Sequence, residues 1–151
     1  KKIPILWSPS MSIGANVVIN SIEKIASQLT EEFDIEINEH HHKYKKDMPS
    51  GTAIALGKAA ARGLNKEFNN ISNLNRDVSD PERKKGEIGF SATRGGDSSG
   101  EHTVIFAGEG ERIELKHIST SRSIFAKGAV RSAIWLSSKK TGFYSMKDVI
   151  L

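Results

Sequence analysis

The stretch Phe33-Asp34-Ile35-Glu36-Ile37-Asn38-Glu39-His40-His41-His42-Lys43-Tyr44-Lys45-Lys46-Asp47-Met48-Pro49-Ser50-Gly51-Thr52-Ala53 decides how the rest of the chain is read. Its opening alternates with period two. Phe33, Ile35 and Ile37 face one side and Asp34, Glu36 and Asn38 the other, as in a half-buried strand. That strand runs into three imidazoles and the ammonium groups of Lys43, Lys45 and Lys46. Pro49 then blocks continuation, and Ser50 is placed to cap a helix from about Gly51 to Leu64. So much positive charge between a strand and a helix is costly until something anionic neutralises it. The expected occupant is a small dicarboxylate, with a proton donor at hand.

The helix start sharpens that expectation. The first amides of a helix lack intrahelical acceptors, and the dipole favours negative charge there. Gly51 lets a ligand approach the backbone, and the hydroxyls of Ser50 and Thr52 add donors. A docked carboxylate would accept charge-assisted hydrogen bonds, each contributing roughly 1.5–3 kcal/mol. Pro-Ser-Gly-Thr by itself is only a good helix start; the basic cluster just before it turns the reading towards a ligand site. His41 and Lys45 are the candidate proton donors, because imidazole exchanges protons near neutrality and a neighbouring charge tunes it. Each histidine taken singly reads better as a solvated loop residue. Adjacent residues on an extended segment point to opposite faces, and no cysteine or well-spaced carboxylate completes a coordination sphere, so no metal is expected. His102 and His117 lie in strand contexts and read as structural.

Working outward, Ile3 to Trp7 reads as a short buried strand ending at Ser8-Pro9-Ser10. Ser12 is a plausible cap for a helix from Ile13 to Leu29, with a stripe of Ile13, Val17, Val18, Ile22, Ile25 and Leu29. In the helix after Ser50, Ala53, Leu56, Ala60 and Leu64 form the expected buried face, and Gly57 and Ala61 permit close packing. Residues 65–85 are polar and unpatterned, a long mobile surface connection. Three strands follow, around Ile88-Phe90-Ala92, Thr103 to Ala107 and Ile113-Leu115-His117. Gly108 to Glu111 makes a hairpin of the last two. A final helix spans about Ile124 to Leu136, with Phe125, Ala129, Ala133 and Leu136 inward. The order predicts an α+β fold: a mixed open sheet of about four strands with helices on one face. The other face is expected to expose apolar residues and to serve oligomerisation.

Composition bounds the function. At 151 residues with 37% hydrophobic residues the chain can bury one core, and it holds no run near the ~20 apolar residues of a membrane span. No secretory signal is visible, and there is no cysteine, hence neither disulfide nor thiol chemistry. A cytoplasmic location is expected. The net charge of +4 and pI of about 9.3 suit an anionic small molecule or a phosphate-bearing cofactor. A basic nucleic-acid-binding domain is an alternative, although the cations form no block and aromatics do not interleave with them. No G-x-G-x-x-G, Walker A or G-x-S-x-G pattern occurs.

The run Glu39-x-His41-His42-x-x-Lys45-x-Asp47-x-Pro49-Ser50-Gly51-Thr52-Ala53 resembles the signature of the 4-hydroxy-tetrahydrodipicolinate reductase family, long called dihydrodipicolinate reductase. Ser10-Met11-Ser12-Ile13-Gly14-x-Asn16 resembles the family's interdomain crossover segment, and Ile88-Gly89-Phe90, Arg94-Gly95-Gly96-Asp97, Gly100-Glu101-His102, Ser121-Arg122 and Gly128 to Ala133 match its later blocks in order. The resemblance implies reduction by NADPH or NADH of 4-hydroxy-tetrahydrodipicolinate to tetrahydrodipicolinate, on the diaminopimelate route to lysine. It implies His41 as proton donor or acceptor and Lys45 as a second donor. His42, Gly51 and Thr52, supported by Ser50, would bind substrate. Ser8, Pro9, Ser10 and Met11 would line the nicotinamide end of the cofactor site, with Arg122 and Phe125 nearby. It also implies a homotetramer assembled through the sheet. In the family a Rossmann domain precedes the point where this chain begins. Residues 1–12 would then be a crossover segment, 13–121 the substrate-binding and tetramerisation domain, and 122–151 a C-terminal helix and return. The chain alone is expected to bind dicarboxylate weakly and turn over little substrate. An oligomeric dicarboxylate-binding module without catalysis is the other alternative.

Overall fold

The structure, a computed structural model, describes residues 2–150. The strand read from Phe33 onward is β2 (Asp34–His41), at the centre of a five-stranded sheet. It pairs in parallel with β4 (Ile88–Arg94) and antiparallel with β5 (Glu101–Ala107). β6 (Arg112–Ile118) returns from β5 across the Gly108–Glu111 turn. β3 (Ser72–Asn73) adds a short parallel edge beside β4. A second, two-stranded parallel sheet joins β1 (Pro4–Leu6) to β7 (Gly142–Tyr144). The α+β class and the helices on one face match the expectation. The sheet has one strand more than expected, because β3, with the short helix α3 (Phe68–Ile71), lies inside the segment taken for an unstructured connection.

Both serine caps are where the sequence puts them. Ser12 Oγ accepts from the Ala15 amide at the start of α1 (Ile13–Leu29), and Ser50 Oγ accepts from the Ala53 amide at the start of α2 (Gly51–Gly63). Such caps each contribute about 1 kcal/mol. The two helices pack side by side on the sheet. A Cβ on Gly63 would meet the Glu23 carbonyl at 2.4 Å, so the missing side chain sets how closely they approach. Ile19, Ile22 and Ala26 of α1 enclose a core with Leu56, Ile35, Ile37, Ile88, Phe90, Val104 and Phe106. Each large member stabilises the fold by roughly 1.5–3 kcal/mol. Val17, expected in that stripe, is instead 49% exposed.

Three further expectations are corrected. β1 is not buried: Ile5 and Trp7 are exposed, as is Phe143 of β7. The last long helix, α4 (Ser123–Ser137), buries Gly128 and Ser132 rather than Ala129 and Ala133. A Cβ on Gly128 would stand 1.8 Å from the Met11 carbonyl, so a bare backbone is required there. Ser132 bonds to Met146 of α5 (Met146–Ile150). The uncovered sheet face is mainly polar, carrying Asp34, Glu36, Asn38, His40, Ser91, Thr93, Glu101, Thr103, Glu114 and Lys116 in register, with Ile105 and exposed Ile118 as apolar members. Cross-strand contacts such as Ser91–Asn38 and Lys116–Glu101 stabilise it by a few tenths of a kcal/mol each.

Candidate active site

Sheet register assembles the site. The helix-facing side of β2 is Ile35, Ile37, Glu39 and His41, so its alternation changes from core to chemistry within one strand. Glu39 stands opposite His102 of β5, and His41 opposite Arg94 of β4. Glu39 is buried, and its carboxylate accepts from Arg94 Nη2 at 2.8 Å and from the Ser50 amide at 3.0 Å. Its second oxygen lies 2.5 Å from His41 Nδ1. Burial disfavours the Glu39 charge, but Arg94, the Ser50 amide and His41 together outweigh it, and the pKa falls below the usual carboxylate value. His41 is pulled the other way by its surroundings. Burial lowers its pKa most, Glu39 opposes, and the Lys45 and Arg94 cations lower it further.

His102 completes the cluster. Its ring meets His41 edge-on at a centroid distance of 5.1 Å, and its Nε2 lies 2.9 Å from Ser50 Oγ. Burial, then the neighbouring His41, pushes its pKa down to about 4, so it is neutral at physiological pH. Ser50 Oγ accepts the Ala53 amide and also shares a hydrogen bond with His102 Nε2, whose direction follows the ring's tautomer. The same serine thus caps α2 and ties its N-terminus to Glu39 and His102. Donor atoms of Glu39, His41 and His102 all lie within 4.8 Å of one another. A dication there would stand beside the Arg94 guanidinium and compete with the Ser50 bonds, so the arrangement suits proton handling better than metal binding.

The remaining expected residues divide. Gly51 is exposed, with nothing within 4 Å of where a Cβ would stand, and Thr52 is half-buried beside it. Lys45 Nζ contacts both Asp47 oxygens at 2.8 Å, and its charge is felt at His41. Ser8 and Pro9 line a cleft of about 540 Å³ with Trp7, Asn16, Gly51 and Phe143. That cleft brings part of the expected cofactor segment to the start of α2. Ser10 is buried, its hydroxyl taken by the Ser12 amide, and Met11 lies under α4. His42 faces a separate hollow of about 480 Å³ with Lys43, Tyr44, Gly96 and Asp97. Arg122 is exposed at the start of α4 and Phe125 is half-buried; neither lines that cleft. His102, read as structural, and Arg94 are neighbours of this cluster that sequence reasoning did not place there. Their sign lay in the register of β2 with its two neighbours, not in local spacing.

Comparison with known proteins agrees with this geometry. A family model described as "Dihydrodipicolinate reductase, C-terminus" matches residues 14–150. A 4-hydroxy-tetrahydrodipicolinate reductase of Zymomonas mobilis is 47% identical over 149 residues, covering 99% of this chain and 59% of the relative. One from Ruegeria sp. is 50% identical over 141 residues, covering 93% of this chain and 52% of the relative. Among solved structures, a dipicolinate-bound dihydrodipicolinate reductase from Paenisporosarcina sp. TG-14 superposes with a TM-score of 0.68 at 25% identity, covering 99% of this chain and 55% of that one. The chain spans a little over half the length of these relatives. It belongs to the dihydrodipicolinate reductase family, corresponding to the C-terminal part of its members.

Proposed function

We propose that this chain supplies the dicarboxylate site and the proton-handling groups for NAD(P)H-dependent reduction of 4-hydroxy-tetrahydrodipicolinate to tetrahydrodipicolinate. The observation that carries the reading is the set of Ser50 contacts, which puts the open amides of Gly51 and Thr52 beside the Glu39–His41–His102 network. A relative that holds dipicolinate supports a flat dicarboxylate as guest. One carboxylate docks at the α2 N-terminus, where amides and dipole favour it. Its charge raises the proton affinity of the nearby His41, which the unliganded surroundings depress. The imidazole thereby becomes charged when a guest is present, ready to deliver a proton as negative charge develops on the ring. Lys45, held by Asp47, is the second cation and proton donor in reach.

The residues around the cleft fit the nicotinamide end of a dinucleotide: Trp7 and Phe143 offer flat apolar surface, and Ser8 offers a hydroxyl. When bound, that cofactor supplies the hydride. Its identity as NADPH or NADH belongs to this proposal, as do the lysine route, a cytoplasmic setting and a homotetramer formed through the polar sheet face. No helix among the described residues is long and apolar enough to cross a membrane. Residues 13–121 are proposed as the substrate-binding and assembly unit. Residues 1–12 and 122–151, with exposed Trp7, Val130, Ile134 and Phe143, are proposed to meet a nucleotide-binding unit.

Isothermal titration with pyridine-2,6-dicarboxylate tests the reading. The expected result is saturable binding that Lys45→Ala weakens by about tenfold, a loss of some 1.4 kcal/mol. Absence of binding, or steeply salt-dependent retention on DNA instead, would overturn it. Binding without substrate-dependent NADPH oxidation, even with a relative's nucleotide-binding unit supplied, would leave the dicarboxylate site standing and remove the catalysis.

A further inference from the structure

We infer that Glu39 is a positioning residue for His41: its carboxylate, braced by Arg94 and the Ser50 amide, stands against Nδ1 in an ion-pair contact that favours the tautomer protonated there, with Nε2 turned to Gly100. The purpose of this arrangement rests on the reading of His41 as a proton-transfer group; the geometry itself does not.

Two independent features of the fold act on the same ring, one at each nitrogen. Glu39 reaches His41 from two positions back on the same strand face, so it contacts only Nδ1. On the far side, a Cβ on Gly100 would stand 2.8 Å from His41 Nε2. Gly100 also has φ +145°, a backbone that side-chain-bearing residues rarely adopt. A glycine at 100 therefore leaves Nε2 free of a crowding side chain. Glu39 itself cannot swing away, because Arg94 and the Ser50 amide hold its other oxygen.

The charges around His41 come from every neighbouring element. Glu39 of β2 favours the imidazolium, while Lys45 of the following turn and Arg94 of β4 oppose it. His102 of β5 faces it as a neutral ring, with His117 of β6 behind that ring. Within this set Glu39 is the group that draws a proton towards His41. Removing its charge while keeping its shape should leave the imidazole harder to protonate.

Two-bond ¹H–¹⁵N NMR on the ¹⁵N-labelled chain reads the tautomer and titration of each histidine without substrate, with His41 assigned by the peak lost in His41→Gln. The expected spectrum at neutral pH has Nδ1 protonated and Nε2 bare. In Glu39→Gln the His41 titration midpoint moves to lower pH, and Glu39→Asp, which restores the carboxylate, recovers part of the shift. A parent spectrum with the proton on Nε2 overturns the inference, and so does an unmoved midpoint in a folded Glu39→Gln variant. Should Glu39→Gln not fold, the parent tautomer alone decides. Because no ligand is involved, failure to bind pyridine-2,6-dicarboxylate would sink the functional reading and leave this result intact.

Discussion

The two long helices that cover the sheet begin in the same way and end up with different chemistry. α1 is capped by Ser12, whose hydroxyl lies 3.4 Å from His117 Nε2; α2 is capped by Ser50, whose hydroxyl lies 2.9 Å from His102 Nε2. The two histidines are direct partners across β5 and β6. A serine cap on a strand histidine is thus used twice, side by side. What distinguishes α2 is the next strand. β2 places Glu39 and His41 against His102, and β4 adds Arg94, whereas β6 is an edge with no further strand beyond His117. The pKa of His117 is lowered by burial alone; that of His102 is lowered by burial and then by His41, with His117 and Lys45 adding and Glu39 opposing. Chemical capability here comes from position in the sheet, not from the capping motif.

That contrast can be broken most severely at Arg94. Arg94→Met leaves the buried Glu39 charge without its cation, and a cost of roughly 3–5 kcal/mol is expected in urea denaturation. A loss below about 1 kcal/mol would mean that Glu39 does not carry its charge in the folded protein.

Acid sensitivity comes next. A histidine whose folded pKa lies below its unfolded value binds fewer protons in the folded state between the two. Stability then rises with pH across that window and is lost as pH falls from 6.5 towards about 4 for His102. Its full contribution is about 3 kcal/mol. Glu39 and His41, both lowered, add loss in the same acid direction. His102→Gln should flatten the stability profile between those values, and His117→Gln should flatten it less. Equal slopes for the two variants would erase the distinction between the helices.

The caps give a smaller, paired measurement. Ser50→Ala removes a helix cap and the partner of buried His102, for about 2 kcal/mol in chemical denaturation; Ser12→Ala removes a cap and a longer contact, for about 1 kcal/mol. The least stability change is expected at Gly51, where a Cβ meets nothing. Gly51→Ala should leave stability within about 0.5 kcal/mol, since helix propensity favours alanine, yet reduce affinity for pyridine-2,6-dicarboxylate in calorimetry. Unchanged affinity would move the guest away from the start of α2.

Sequence legibility follows the range of the interactions involved. The caps at Ser12 and Ser50, the alternation of β2 and the turn at Gly108–Glu111 are local, and each was readable from a few residues. His102 was passed over because its role arises from facing Glu39 across 63 positions of chain, a matter of strand register. Arg94 likewise becomes meaningful only once β4 lies parallel to β2. In α4 the apolar count favoured Ala129 and Ala133, but the Met11 carbonyl selects the side bearing Gly128 and Ser132, where no bulk is tolerated. The uncovered face was expected to be apolar because sheets usually bury something on both sides. Its residues instead satisfy one another along the strands.

Ser50 has its hydroxyl turned inward in both directions, to Ala53 and to His102. An anion docked at the start of α2, as proposed above, would meet peptide amides in preference to that side chain. Exchanging the side chains at 51 or 52 would leave those backbone donors in place.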